Sequence, residues 1–70
     1  MTKEEVAKEF KPGTRVKVLE ESAYLYGEYA WVHSVSHTDV LVKSATGYTE
    51  WIDASGDNNI KKAKDQVPPS

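Results

Sequence analysis

The stretch RVKVLEE (residues 15–21) is where the chain changes its period. Arg15 and Lys17 alternate with Val16 and Val18, the two-residue repeat of a strand with one apolar face. Ahead of it, MTKEEVAKEF (1–10) repeats as a helix does. Thr2 followed by Glu5 is a capping box, Glu4 and Glu5 suit the positive end of the helix dipole, and Val6, Ala7 and Phe10 share one face. KPGT (11–14) stops that helix, because Pro12 disfavours helix at Lys11 and Gly13 permits a turn. The expectation is a short helix over about 2–10, whose Val6/Phe10 stripe covers one open end of the strands downstream.

Beyond residue 21 the alternation recurs in GEYAWVHSVS (27–36) and DVLVKS (39–44). ATG (45–47) is turn chemistry with Gly47 free to take a positive φ, and YTEWIDA (48–54) completes a tight hairpin. SGDNN (55–59) reads as a loop with a single 3₁₀ turn over 57–59, IKKA (60–63) as a last short strand and KDQVPPS (64–70) as a frayed tail. Seventy residues make one domain and bury only ~60% of the unfolded surface, too little for two stacked sheets. Curling a five-stranded meander into a small barrel hides both the valines and the edges. The expected organisation is helix and turn over 1–12, barrel over 13–64 and disordered tail over 65–70.

The chain has no Cys, so neither a disulfide nor a thiolate metal site is available to stabilise it. Residues 1–10 are charged throughout and no apolar run exceeds four residues, which predicts a soluble, cytoplasmic protein. The net charge of −2 is unevenly spread. Residues 1–17 carry five Lys/Arg against three Glu, and residues 58–70 carry three Lys against Asp65. Residues 18–57 carry Lys43 against seven carboxylates. An acidic middle repels phosphate and favours basic partners.

Gly27, Ala30, Val32 and Val35 match the KOW-type pattern of SH3-like small barrels, with Ala30 standing where the pattern has Gly. Val16, Val18, Leu19, Tyr24, Tyr26, Glu28, Val32, Ser34 and Val35, with Asn58-Asn59 near the end, are similar to the small stromal SH3-like subunit of photosystem I. The opening Pro12-Gly13-Thr14 resembles the ferredoxin-docking subunit of the photosynthetic NDH complex. These resemblances cover about half the chain and leave out residues 36–57. They imply a mainly β fold, an SH3-like five-stranded small barrel with a short N-terminal helix, and both Val32 and Val35 turned inward. They also imply docking of ferredoxin, an acidic protein, which needs Arg15, Lys17, Lys61, Lys62 and Lys64 gathered on one face.

Four of the seven aromatic residues fall within residues 23–35. With Ala30 and Val32 inward, parity turns Tyr29, Trp31 and His33 outward, and Trp31 or Tyr29 becomes a candidate to pack on Phe10. Tyr24 and Tyr26 lie in the loop between the first two strands, beyond easy reach of a central core. Ile52 is expected inward with Glu50 at the rim, which leaves Trp51 outside. Tyr24, Tyr26, Trp31 and Trp51, with Glu28, are the candidate partner-binding residues; a structural role in covering the small core is the competing reading for Trp31.

Nothing in the chain has the spacing of a catalytic or metal site. His33 and His37 on an extended strand lie ~13 Å apart, and Ser34, Ser36, His37 and Asp39 come without an elbow or oxyanion loop. No catalytic residue, metal or cofactor is expected. The expected role is a non-catalytic protein-interaction module, a small accessory or regulatory subunit. The alternatives are a nucleic-acid-binding barrel, disfavoured by the acidic 18–57 body, and an electron-transport docking subunit.

Overall fold

The structure, a computed structural model, describes residues 2–56 and 58–63. Helix α1 spans Lys3–Glu9, and it is succeeded by strands β1 (Arg15–Val18), β2 (Tyr29–Ser36), β3 (Asp39–Ser44), β4 (Thr49–Asp53) and β5 (Ile60–Lys62). The expected mainly β fold with a short N-terminal helix is what forms: five antiparallel strands in one sheet, ordered β4-β3-β2-β1-β5. A four-stranded meander is extended by β5, which returns to the free edge of β1. The expected tail (65–70) lies outside the described residues, as does the first residue of the expected 3₁₀ turn. No helix among the described residues is long and apolar enough to cross a membrane.

The helix starts as its sequence dictates. Thr2 accepts from the Glu5 amide at 3.2 Å, and the Glu5 carboxylate accepts from the Thr2 amide at 2.9 Å. Reciprocal caps of this kind satisfy two of the amides a helix start leaves open. Val6 and Phe10 are buried and join the core, whereas Ala7, expected on the same face, is exposed. A seven-residue helix offers only one narrow stripe, and Ala7 lies about 100° round from Val6. Gly13, at φ 91°, turns the chain so that its amide reaches the Val32 carbonyl at 2.7 Å, docking the helix exit onto β2. The Lys62–Glu9 ion pair at 3.1 Å links the helix to β5; being exposed, it contributes under about 1 kcal/mol.

Alternation sorts the strands as expected. Val16, Val18, Ala30, Val32, Val40, Val42, Ile52 and Ile60 are buried together, and Arg15, Lys17, Tyr29, Trp31, Lys43 and Trp51 point the other way. Strict alternation cannot put both Val32 and Val35 inside, because they differ in parity. The protein resolves this with a register shift between Val32 and Ser34 that leaves His33 as the extra residue. Beyond that bulge the parity of β2 inverts, so Val35 pairs with buried Val40 and packs against the core while Ser34 faces out opposite Leu41.

The connection from β2 to β3 is only His37-Thr38, since Ser36 pairs with Asp39. His37 takes φ 55° there, a left-handed conformation that a side chain tolerates at some cost. At the other hairpin Gly47 takes φ 93°, and buried Ser44 is fully employed: its hydroxyl contacts the Thr46 hydroxyl at 2.9 Å and accepts from the Tyr48 amide at 3.2 Å. Asn59 ties the sheet's ends, its carbonyl accepting from Leu19 at 2.7 Å while its side-chain amide donates to the Asp53 carbonyl at 3.0 Å.

Candidate functional site

Ten residues, Leu19 to Glu28, join β1 to β2, and the loop is pinned at several points. Its base closes through Gly27 N to Val18 O at 2.8 Å and Val18 N to Glu28 O at 3.0 Å. Within it, Ala23 donates to Glu20, Tyr26 to Ala23 and Glu28 to Leu25 in a succession of turns. Leu25, between the two tyrosines, is buried and plugs the end of the sheet. The Glu50 carboxylate reaches out of β4 to accept from the amides of Tyr24 at 3.0 Å and Leu25 at 3.1 Å. Glu50 has inward parity, and this pair of bonds is how a carboxylate is accommodated at the rim of an apolar interior.

With Leu25 turned in, its neighbours must turn out. Tyr24 is 74% exposed and Tyr26 53%. The Tyr24 ring lies 4.5 Å, centroid to centroid, from Tyr48 at a tilt of 38°, so a loop ring and a hairpin ring form one platform. On the same loop stand the carboxylates of Glu20, Glu21 and Glu28, the last two exposed. Tyr48 was not expected here, because nothing local links positions 24 and 48.

Trp31 and Trp51 lie elsewhere, on the sheet's outer face. Register sets the rows of that face. Arg15, Trp31, Lys43 and Thr49 are successive cross-strand neighbours, as are Leu41 and Trp51 with Ser34 beside them. Lys61, Lys17 and Tyr29 form a third row. The Arg15 guanidinium sits 4.7 Å from the Trp31 ring and 5.2 Å from Tyr29, and the Lys17 ammonium 5.5 Å from Tyr29. Trp31 is therefore covered in part by Arg15, while Phe10, expected against it, is buried with the valines.

No protein family, curated protein or solved structure matches this chain. Its surfaces have to be read from their own chemistry. The five candidate residues divide between two places: Tyr24, Tyr26 and Glu28 at the loop end, Trp31 and Trp51 on the outer face. Of the cations that accompany the second group, Arg15, Lys17 and Lys61 are named in sequence only as the face that ferredoxin docking would need, and Lys43 is not named with them. Counted along the chain most of them fall toward its ends; counted across strands they are neighbours.

Asp53 is held below its ordinary value of 3.8, chiefly by the hydrogen bond from the Ser55 amide at 2.9 Å, with the Ser55 hydroxyl adding to it. Directly across β3–β4 from it stands Asp39. Among the described residues no group of three or more His, Asp or Glu side chains is placed to hold a metal ion.

Proposed function

We propose that the chain is a non-catalytic protein-interaction module, a small accessory or regulatory subunit that meets its partner through the platform of Tyr24 and Tyr48 and through Tyr26 exposed on the same loop. One observation carries this reading: two tyrosines stand in solvent on a loop whose backbone is already fixed by Glu50 and Leu25. Exposed aromatic rings dominate binding energy at protein interfaces, and a backbone fixed in advance removes the cost of ordering the loop on contact. The neighbouring Glu20, Glu21 and Glu28 favour a partner that brings basic side chains to the rim and speed the encounter.

The test is comparative capture from the source lysate with the full chain, the Tyr24→Ala/Tyr26→Ala double variant and a Trp31→Ala variant. Circular dichroism checks that each folds. The reading expects a defined protein held by the wild type and by Trp31→Ala and lost by the double variant. A double variant that unfolds makes these rings part of the fold, and one that holds every protein the wild type holds removes the loop from the interface. Either result ends the reading.

A further inference from the structure

The outer face of the sheet has a polarity that chain order conceals. Arg15, Lys17, Lys43 and Lys61 occupy the rows at one end, with Tyr29 and Trp31 between them. The middle row carries Leu41 and Trp51, and the last row places Asp39 opposite Asp53. The remaining described carboxylates are on other parts of the molecule: Glu4, Glu5 and Glu9 on the helix, Glu20, Glu21, Glu28 and Glu50 at the loop end. A chain with net charge −2 thus presents a face on which four cations surround two exposed rings and no carboxylate among the described residues intervenes.

We propose that this face binds single-stranded nucleic acid, with bases stacked on Trp31, Tyr29 and the Arg15 guanidinium and phosphates held by Lys17, Lys61 and Lys43. Adjacent strands are about 4.8 Å apart, so Lys17 and Lys61 stand side by side and Arg15 and Lys43 flank Trp31 at about 10 Å from each other. Rings alternating with cations at this spacing suit a ligand that alternates flat bases with anionic phosphates. The Arg15 guanidinium lies within reach of both rings, at 4.7 Å from Trp31 and 5.2 Å from Tyr29, so cation and rings form one continuous surface. A duplex keeps the faces of its bases within its own stack, so it offers the rings nothing. An acidic protein satisfies the cations and leaves the stacking geometry unused. The Asp39–Asp53 row repels phosphate and confines the bound strand to the basic end.

This surface shares no residue with the tyrosine platform, so the two readings fail separately. The experiment titrates the full-length protein with fluorescein-labelled oligothymidylate, chosen because it forms no structure of its own, and follows both anisotropy and indole emission. Binding with quenched indole emission is expected. With three phosphates neutralised, raising salt from about 50 to about 200 mM weakens binding about 20-fold. Trp31→Ala weakens it about tenfold, and Trp31→Phe recovers most of that loss. Lys17→Ala with Lys61→Ala lowers the salt slope by about 1.4, while Tyr24→Ala/Tyr26→Ala leaves binding unchanged. Absence of binding at about 50 mM salt, or binding indifferent to Trp31 and to the two lysines, overturns the proposal. So does displacement of the oligonucleotide by polyglutamate as effectively as by unlabelled oligothymidylate, which makes the face a docking site for acidic protein.

Discussion

The Glu50 carboxylate holds the Leu25 amide at 3.1 Å across 25 positions of sequence, and with the same group holds Tyr24 at 3.0 Å. A side chain of β4 thereby fixes the loop that leaves β1. The consequence is a specific mode of failure. Glu50→Ala should cost about 1–2 kcal/mol, because two amides lose an ionised acceptor at a partly buried site. Hydrogen exchange at the Leu25 amide should accelerate more than exchange in β2 or β3. Urea titration gives the first quantity and exchange NMR the second; unaltered exchange at Leu25 refutes the role given to Glu50.

Leu25 itself is expected to be worth more than its acceptor. Its side chain is buried in the end of the sheet, and truncation there leaves a cavity among the valines. Leu25→Ala should destabilise by about 2–4 kcal/mol, a large part of the whole stability of a domain this small. Tyr24→Ala, one position earlier, should cost far less, since that ring is mostly in solvent. Equal losses for the two, measured by urea unfolding, contradict the inward and outward assignment.

His37 is the one described residue other than glycine with a positive φ, at 55°. Its conformation costs a residue with a Cβ roughly 1–2 kcal/mol, partly offset in glycine by the greater freedom of the unfolded chain. His37→Gly should therefore raise stability by about 0.5–1 kcal/mol. The denaturation midpoint checks this, and a lowered midpoint rules out strain at that turn.

Acid titration should reveal Asp53. Its carboxyl is held below 3.8 in the folded chain, so the ionised form is the one that folding favours. That contribution is present above the ordinary aspartate range and is lost as pH falls through the depressed folded value. The hydrogen bonds from Ser55 are what favour the ionised form. Asp53→Asn should flatten the fall in stability below about pH 4 and leave its profile near neutrality parallel to that of the wild type. Profiles that stay parallel in acid remove Asp53 from the acid response.

Much of this architecture was legible because its signals are local. Thr2 and Glu5 are three residues apart, β3 alternates without interruption, and Gly47 marks its turn. The turn at His37-Thr38 is placed by the gap between the two alternating runs, but its left-handed residue was not legible, because no glycine or asparagine announces it. The bulge at His33 was visible only as a conflict, Val32 and Val35 both being wanted inside. The exposure of Tyr24, Tyr26 and Trp51 could be read from loop placement and parity. The pairing of Tyr24 with Tyr48 could not, since it depends on how far the loop folds back. The basic face was foreseen only as a requirement of ferredoxin docking, from Arg15, Lys17 and the lysines of 61–64; the place of Lys43 beside Trp31 comes from register, which a count of charge along the chain averages away.

The strand order has a consequence for biosynthesis. β1 is made early, yet it is an interior strand only once Ile60–Lys62 reach its open side. Until then the amides and carbonyls of that side have no partner in the sheet, while the meander beyond is already complete. A chain cut off after β4 displays an adhesive ribbon, and β5 is the strand that seals it. Nonsense changes that remove that strand should therefore produce deposits in the cell rather than a merely weakened domain.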